Sequence, residues 1–327
     1  MSYDLIIEKV RRIAKHGVDT PLLVPSFSSR GFPNISTIMQ ILRVEISNVC
    51  LLSAFDIARG YTSIAFEDIA DVVIIDSGVY ETTPATIAVD AFLPACTSND
   101  WTREEYRGFL EKSASRMANT NVLSVSFDAY CSIDEQLEQA REDFKLVPNA
   151  ATDFLLKPEM SSNSYGSFLR LGSKLNGFDV IGVTERELGK SAIERCRAIL
   201  ELRTTLDEAG LPTPIDGFGS ITPAAVTSYF LSRADIFYGL NWLRVGLDNL
   251  WAGAPSEFAV THALFEFDDD HVMLELWQRN IKILQRTQHA LRRFTDDGDK
   301  NALVTTLPFA IHSLKLAEVA KKNFERR

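Results

Sequence analysis

The sequence predicts an α/β fold: a (β/α)8 TIM barrel carrying a C-terminal helical extension. Three observations predict it. Eight short apolar runs, most of them followed by a helix-compatible segment, recur along residues 21–240, the pattern of a parallel barrel. Within residues 212–244, PTPIDGFGSITPAAVTSYFLSRADIFYGLNWLR, a strand, a glycine turn, a helix start and a second strand follow without a gap. Residues 245–327 contain no convincing strand and look helical.

Taken in order, a first helix is expected over residues 5–14, and residues 21–27 (PLLVPSF) form the first strand, running into the polar loop of Ser28, Ser29, Arg30 and Gly31. Residues 50–56 (CLLSAFD), 72–78 (VVIIDSG), 122–128 (VLSVSFD), 154–159 (FLLKPE) and 179–185 (DVIGVTE) supply strands two to six. Ser132 opens a helix through a Ser-Ile-Asp-Glu capping box. Before strand seven, Ile193, Cys196, Ile199, Leu200 and Leu206 share one helix face, which Gly210 ends. Strand seven, 214–219, closes in the turn Gly219-Ser220; Thr222 then caps a helix with Pro223 at its first position, running to about Arg233. Strand eight follows at 234–240, and the crossover is expected to be right-handed. The helix N-terminus behind Gly219 is either a phosphate seat or a plain crossover turn. The longest connection, 79–121, carries Trp101 and Tyr106 and is expected to hold extra structure over the mouth. The link between strands two and three is short, which also suits a variant barrel or another α/β sheet. The resulting division is a barrel over residues 1–250 and a helical extension over 251–327, packed on it.

A hydrophobic fraction of 46% and a charged fraction of 24% are those of a soluble globular protein. No apolar run reaches membrane-spanning length, and Met1-Ser2-Tyr3-Asp4 does not resemble a signal peptide, so a cytoplasmic protein is expected, with no membrane partner. Cys50, Cys96, Cys131 and Cys196 are scattered and form no CxxC pair, which predicts buried thiols and no structural zinc. A net charge of −10 argues against indiscriminate nucleic-acid binding. A local basic face remains: Arg279, Lys282, Arg286, His289 and Arg293 recur at helical steps, opposite Ile281, Leu284 and Leu291. It is either a solvated helix face or a phosphate-contacting stripe.

In such a barrel the chemistry gathers at the C-terminal strand ends. Those ends offer Asp56, Asp76, Asp128, Glu159, Glu185 and Tyr238. Converging carboxylates repel, so some are expected to be protonated, hydrogen-bonded or paired with Arg30 or Arg244. Such a cluster suits acid–base or nucleophilic work, metal binding, or recognition of a purine edge by accepting N–H bonds. Asp56 and Glu159 serve equally well as helix caps. Asp76 stands out because Ser77 and Gly78 beside it form a tight turn that lets a ligand approach the backbone. The five histidines fall outside the strand ends, which counts against a His-ligated metal or a Ser-His-Asp site.

VVIIDSGVYE (72–81) resembles the DSGG-F/Y motif of tRNA-guanine transglycosylases and their DNA-modifying 7-deazaguanine relatives. PLLVPSFSSRG is similar to their first strand, VIGVTERELGKS (180–191) to their sixth, and PIDGFGSITP followed by ADIFYGLNWLR to their seventh and eighth. The resemblance covers roughly residues 20–250 and implies a TIM barrel that exchanges a guanine-type base through a covalent glycosyl–aspartate intermediate, with no cofactor and no catalytic metal. It places Asp76 as the general acid/base, Asp128 as the reader of the Watson–Crick edge and Gly182 as backbone beside the base. Ser77, Gly78, Glu185, Gly219 and Arg244 join them as substrate-binding candidates. Tyr238 falls where the family has its nucleophilic aspartate; a phenol with an ordinary pKa near ~10 is a far poorer glycosyl acceptor. Asp216 stands where the family usually has histidine, and no cysteine follows Cys196 to build the family's zinc module.

Three readings follow. One is a divergent glycosyltransferase or N-glycosidase acting on a (7-deaza)guanine base in nucleic acid or nucleoside, with Asp76 and Tyr238 as catalytic residues and with tRNA or DNA held along Arg279, Lys282, Arg286 and Arg293. Another is a non-catalytic accessory subunit bound to a partner protein. The third is an acidic-mouth, metal-dependent TIM-barrel lyase or hydrolase. The expected geometry puts Asp76, Asp128 and Tyr238 at one mouth.

Overall fold

A computed structural model of the chain describes residues 10–32, 34–46, 48–63, 65–82, 101–158, 171–219, 222–243 and 270–325, with the backbone alone at 270–273. A short antiparallel hairpin, β1 (Arg12–Ile13) and β2 (Val18–Asp19), comes first. Val10–Ala14 is therefore not the helix expected there; the rest of that predicted helix, 5–9, lies outside the described residues.

The barrel follows in the anticipated order. Its strands and helices are β3 (Leu22–Pro25), α1 (Ile35–Leu42), β4 (Val49–Ser53), α2 (Ala54–Ala58), β5 (Val72–Asp76), α3 (Val79–Thr82), α4 (Arg103–Met117), β6 (Asn121–Val125), α5 (Ile133–Phe144), β7 (Ala151–Leu156), β8 (Val180–Thr184), α6 (Glu185–Leu188), α7 (Ala192–Glu208), β9 (Ile215–Phe218), α8 (Pro223–Leu231) and β10 (Ile236–Gly239). All eight strands of this sheet run parallel in the spatial order β3-β10-β9-β8-β7-β6-β5-β4. The ends of that order meet through a single bridge, Ser26 to Leu51, where Phe27 N–H donates to the Leu51 carbonyl at 3.0 Å. The result is a nearly closed (β/α)8 barrel. The tight link between β4 and β5 is accommodated by the short α2 and one 3-10 turn, Phe66–Asp68.

Alternation along each strand divides the core in two. Leu22, Val24, Val49, Leu51, Val72, Ile74, Leu123, Val125, Leu155, Val180 and Ile236 fill the lumen. Leu23, Cys50, Leu52, Val73, Ile75, Phe154, Ile181, Val183 and Phe237 face the helices. Helix starts follow their local chemistry. Ser132 forms a reciprocal capping box with Glu135, Ser191 does so with Glu194, and Thr222 accepts from Ala225 N–H with Pro223 at the first position. Gly210, at φ +69°, ends α7 as expected, but Ile193 is 37% exposed, off the buried face carried by Cys196, Ile199, Leu200 and Leu206.

After the barrel come α9 (Asp270–Asp297), α10 (Lys300–Thr306) and α11 (Ala310–Glu325). Helix α9 packs against β3 and α8, and α11 against α7 and α8. Side chains reach from α9 into the barrel: Gln288 Oε1 accepts from Leu23 N–H at 2.7 Å and Asn280 donates to the Trp242 carbonyl at 2.7 Å. Trp242 is fully buried, edge-on to Phe27 at 5.3 Å, and donates to the Ser26 carbonyl at 3.1 Å. It joins the closing seam to α9, so Trp242→Ala is expected to cost about 3–5 kcal/mol. Urea unfolding of the variant reads this as a lower midpoint; an unchanged midpoint would refute the role given to Trp242.

Candidate functional site

The loop after β3 is fixed by two buried carboxyls. Asp56 accepts from Ser29 N–H at 2.7 Å and Ser29 Oγ at 2.5 Å. Glu81 accepts from Ser28 Oγ at 2.6 Å and Ser53 Oγ at 2.9 Å. Burial, offset in part by the two Ser29 bonds, pushes Asp56 up to about 6. Burial, then the charges of Asp56 and Asp76, holds Glu81 well above the ordinary carboxylate range. Asp56 is thus a residue of α2 that anchors a neighbouring loop, and Ser53 is the one that caps its helix.

Asp76 ends β5, partly buried. Burial first, then the charge of Asp128, raises it to about 6, against the opposing pull of nearby backbone N–H groups and Lys157. Gly78 follows at φ +90°, where a Cβ would lie 2.6 Å from the Phe55 Cβ and 2.7 Å from the Phe55 nitrogen, so only glycine fits the turn. Trp101 closes over this turn by donating to the Ser77 carbonyl at 2.7 Å, and Tyr106, at the start of α4, donates to the Val125 carbonyl at 2.6 Å. Between them and α3, residues 83–100 lie outside the described residues.

Across from Asp76 lies Asp128, just past β6. Its Oδ2 meets Lys157 Nζ at 3.1 Å, while its Oδ1 is buried without a hydrogen-bond partner among the described residues. Lys157 follows β7 directly, is 3% exposed, and also pairs with Glu187 at 3.3 Å. Burial works to lower Lys157, and the charges of Asp128 and Glu187 outweigh it, so the ammonium persists. Tyr130 completes the group, donating to Glu187 at 2.6 Å under the Lys157 ammonium. Burial, opposed by Lys157, leaves Asp128 raised.

Below the mouth, the same alternation that turns Asp76 inward also turns Asp153 of β7 and Asp216 of β9 into the lumen. Both are fully buried, and among the described residues no group donates a well-formed hydrogen bond to either carboxyl. Burial raises Asp153 to about 7 and holds Asp216 well above the ordinary carboxylate range, the latter also through the charge of Asp153, so each disfavours the other's ionisation. Gly182 makes room for them: a Cβ there would stand 2.9 Å from Asp153 Oδ1 and 2.7 Å from the Phe218 ring. Tyr238 is 2% exposed, edge-on to Phe218 at 4.1 Å, and among the described residues its hydroxyl makes no well-formed hydrogen bond. Burial, then the charges of Asp216, Asp153 and Asp76, pushes that phenol well above its ordinary value.

Of the sequence candidates, Asp76, Ser77, Gly78 and Asp128 meet at the C-terminal end of the barrel, and Tyr238 and Gly182 lie in the lumen beneath. Gly219 ends β9 at φ +89°, its N–H donating to the Tyr238 carbonyl at 2.9 Å. Glu185 is engaged elsewhere, by Arg195 at 2.6 Å and the Tyr229 hydroxyl at 2.8 Å. Arg30 pairs with no described carboxylate: it donates to the Tyr80 carbonyl at 2.5 Å and lies over the Tyr80 ring, while Asp56 and Glu81 are hydrogen-bonded by serines, another of the expected alternatives. Arg244 and Glu159 lie outside the described residues. Arg279, Lys282, Arg286, His289 and Arg293 are all exposed along α9, while Ile281, Leu284 and Leu291 are buried. Asp297 and Asp299 of the following loop serve α9 and α10, Asp299 as a helix cap.

Sequence reading missed Asp153, Lys157 and Glu81. Asp153 was legible: in ATDFLL, Ala151, Asp153 and Leu155 alternate onto one face, which a strand begun at Phe154 leaves out. Among the described residues, Cys50 and Cys196 are buried free thiols, Cys131 is partly exposed, and no group of three His, Cys, Asp or Glu is placed to hold a metal ion. No helix among them is long and apolar enough to cross a membrane. In comparisons with known proteins, no family model and no curated sequence matches the chain.

Proposed function

We propose that this protein binds a guanine-type base at the barrel mouth, as a divergent relative of the tRNA- and DNA-guanine transglycosylases, with Asp128 accepting from the base and Asp76 moving protons. The observation that carries the reading is the half-tethered carboxyl of Asp128. Lys157 fixes Oδ2 at 3.1 Å and leaves Oδ1 buried and unpartnered. A rigid, desolvated acceptor suits the neighbouring N–H donors of a guanine edge, and an unmade bond there is costly. Asp76, near pKa 6, populates both protonation states close to neutrality, as acid–base work requires.

Tyr238 bears on how far the chemistry goes. A buried, protonated phenol does not form the glycosyl ester that an aspartate would. Cleavage would then run through water activated by Asp76, the water oxygen bonding the sugar carbon as the base leaves with a proton; base exchange would need Asp76 itself, or the incoming base, to displace the outgoing one. The same observation favours a second reading, an accessory subunit that keeps the base pocket without turnover. Nucleic acid, as tRNA or DNA, would approach along the exposed Arg279, Lys282, Arg286 and Arg293.

The test is equilibrium binding of guanine and 7-deazaguanine to wild type and Asp128→Asn. Lys157 keeps Glu187 as a partner in that variant. The expected result is measurable binding by wild type and a loss of about tenfold or more in the variant. Equal affinities would remove Asp128 from the base site and the reading with it.

A further inference from the structure

Arg30 is 1% exposed, yet among the described residues the edge of its guanidinium formed by Nε and Nη2 has no hydrogen-bond partner. Nη1 alone is satisfied, by the Tyr80 carbonyl at 2.5 Å, and the guanidinium carbon lies 4.7 Å from the Tyr80 ring centroid. The free edge is the one that engages phosphate or carboxylate oxygens in pairs. A buried cation left in this state is costly, and the Tyr80 carbonyl and ring relieve it only in part. The two buried acids that hold the Arg30 loop are committed elsewhere: Glu81 to Ser28 and Ser53, Asp56 to Ser29. Those bonds hold the loop, and the stack on Tyr80 holds the plane, so the edge is preorganised rather than free to swing.

We propose that Arg30 is an anion site, receiving two oxygens of a phosphate group at the end of the barrel where Asp76 lies. The placement follows from the chain. Arg30 is on the loop after β3 and Tyr80 is four residues beyond Asp76, so the site shares the β5 loop with the candidate acid/base. The Tyr80 ring beneath it restrains the orientation of the planar guanidinium, as a side-on phosphate contact requires. Taking that phosphate to be part of the molecule that carries the base rests on the function proposed above. It makes the substrate class a nucleotide or polynucleotide, not a free base or nucleoside. The anion site itself stands apart from that reading.

The experiment uses the full chain with three probes: inorganic phosphate, guanosine and guanosine 5′-monophosphate, by calorimetry, on wild type and Arg30→Lys. Lysine keeps the charge and loses the fork, and a thermal melt checks that the variant folds. The wild type is expected to bind the monophosphate at least about tenfold more tightly than guanosine, with the ratio falling towards one in Arg30→Lys. Phosphate binding lost in Arg30→Lys, with no guanosine binding by either protein, keeps the anion site and removes the guanine reading. Guanosine and its monophosphate binding equally to wild type, with no phosphate binding, overturns the anion site and spares the guanine reading. Should Arg30→Lys fail to fold, arginine side-chain Nε–H resonances of the wild type decide alone: a buried resonance that moves on adding phosphate supports the site, and none moving sinks it.

Discussion

Unfolding followed from pH 8 down to pH 5 is expected to show the protein gaining about 3–5 kcal/mol of stability, because ~1.4 kcal/mol accompanies each unit by which a buried acid's pKa is raised. The groups are Asp153, near 7, and Asp76 and Asp56, near 6, all raised chiefly by burial. An acid raised in the folded state binds its proton more tightly there than in the unfolded chain. Its contribution is fully present below the unfolded value, near 4, and is lost as pH rises through 6 to 7. Acids lowered by partners, such as Asp19 beside Arg12 and Glu67 beside Arg116, lose their contribution only below that window, as pH falls through their folded values. Asp153→Asn supplies an amide that can donate to Asp216 and removes one of the two buried charges. It is expected to stabilise the protein at pH 8 and to flatten the profile. A level profile in wild type, or a variant less stable at pH 8, would refute the account of two buried acids that disfavour each other's ionisation.

The second large effect concerns turnover. In an assay of labelled guanine or 7-deazaguanine incorporation into tRNA and DNA, Asp76→Asn is expected to lower any exchange or hydrolysis by about 10²–10⁴-fold, the usual worth of positioned proton transfer. Tyr238→Phe is expected to leave it intact, since the buried hydroxyl is not the nucleophile. Tyr238→Asp restores the carboxylate that the resemblance implies, but sets it beside Asp216 and Asp153, where a third buried charge is costly. Paired with Asp216→Asn, it is expected to create or speed base exchange if the pocket is otherwise intact. Fast wild-type exchange that survives Asp76→Asn would show that the nucleophile lies elsewhere. Silence from every variant, with base still bound, would favour the accessory subunit.

The barrel was legible because its strands announce themselves. Runs such as VVIID and VIGVT are apolar on both faces, and each is bounded by turn or capping residues. Asp76 and Asp128 were legible for the same reason, as carboxylates at the ends of such runs. What the sequence concealed is which way a residue inside a run points and what it meets there. Asp153 and Asp216 become neighbours only when β7, β8 and β9 lie side by side, with Gly182 between them lacking a side chain. Lys157 reads as an ordinary polar residue of the 154–159 run until Asp128, past β6, and Glu187, of α6, converge on it. For the acids around Arg30 the sequence left protonation, hydrogen bonding and ion pairing open together; in the fold serines occupy Asp56 and Glu81, and the guanidinium turns to a carbonyl and a ring.

The seam between β3 and β4 has a mechanical meaning. Every other stave of this cask is laced to its neighbours along its length, while this joint is pinned once, at Ser26 and Leu51. What clasps it above the pin is a set of side-chain buckles: Ser29 on Asp56, Ser28 and Ser53 sharing Glu81, and Trp242 leaning on Ser26. A hoop so fastened yields first at its clasp. The loop bearing Arg30 is part of that clasp, so whatever docks against the guanidinium also tightens the cask, and the same few protons that set the charge of Asp56 and Glu81 set how firmly it is shut.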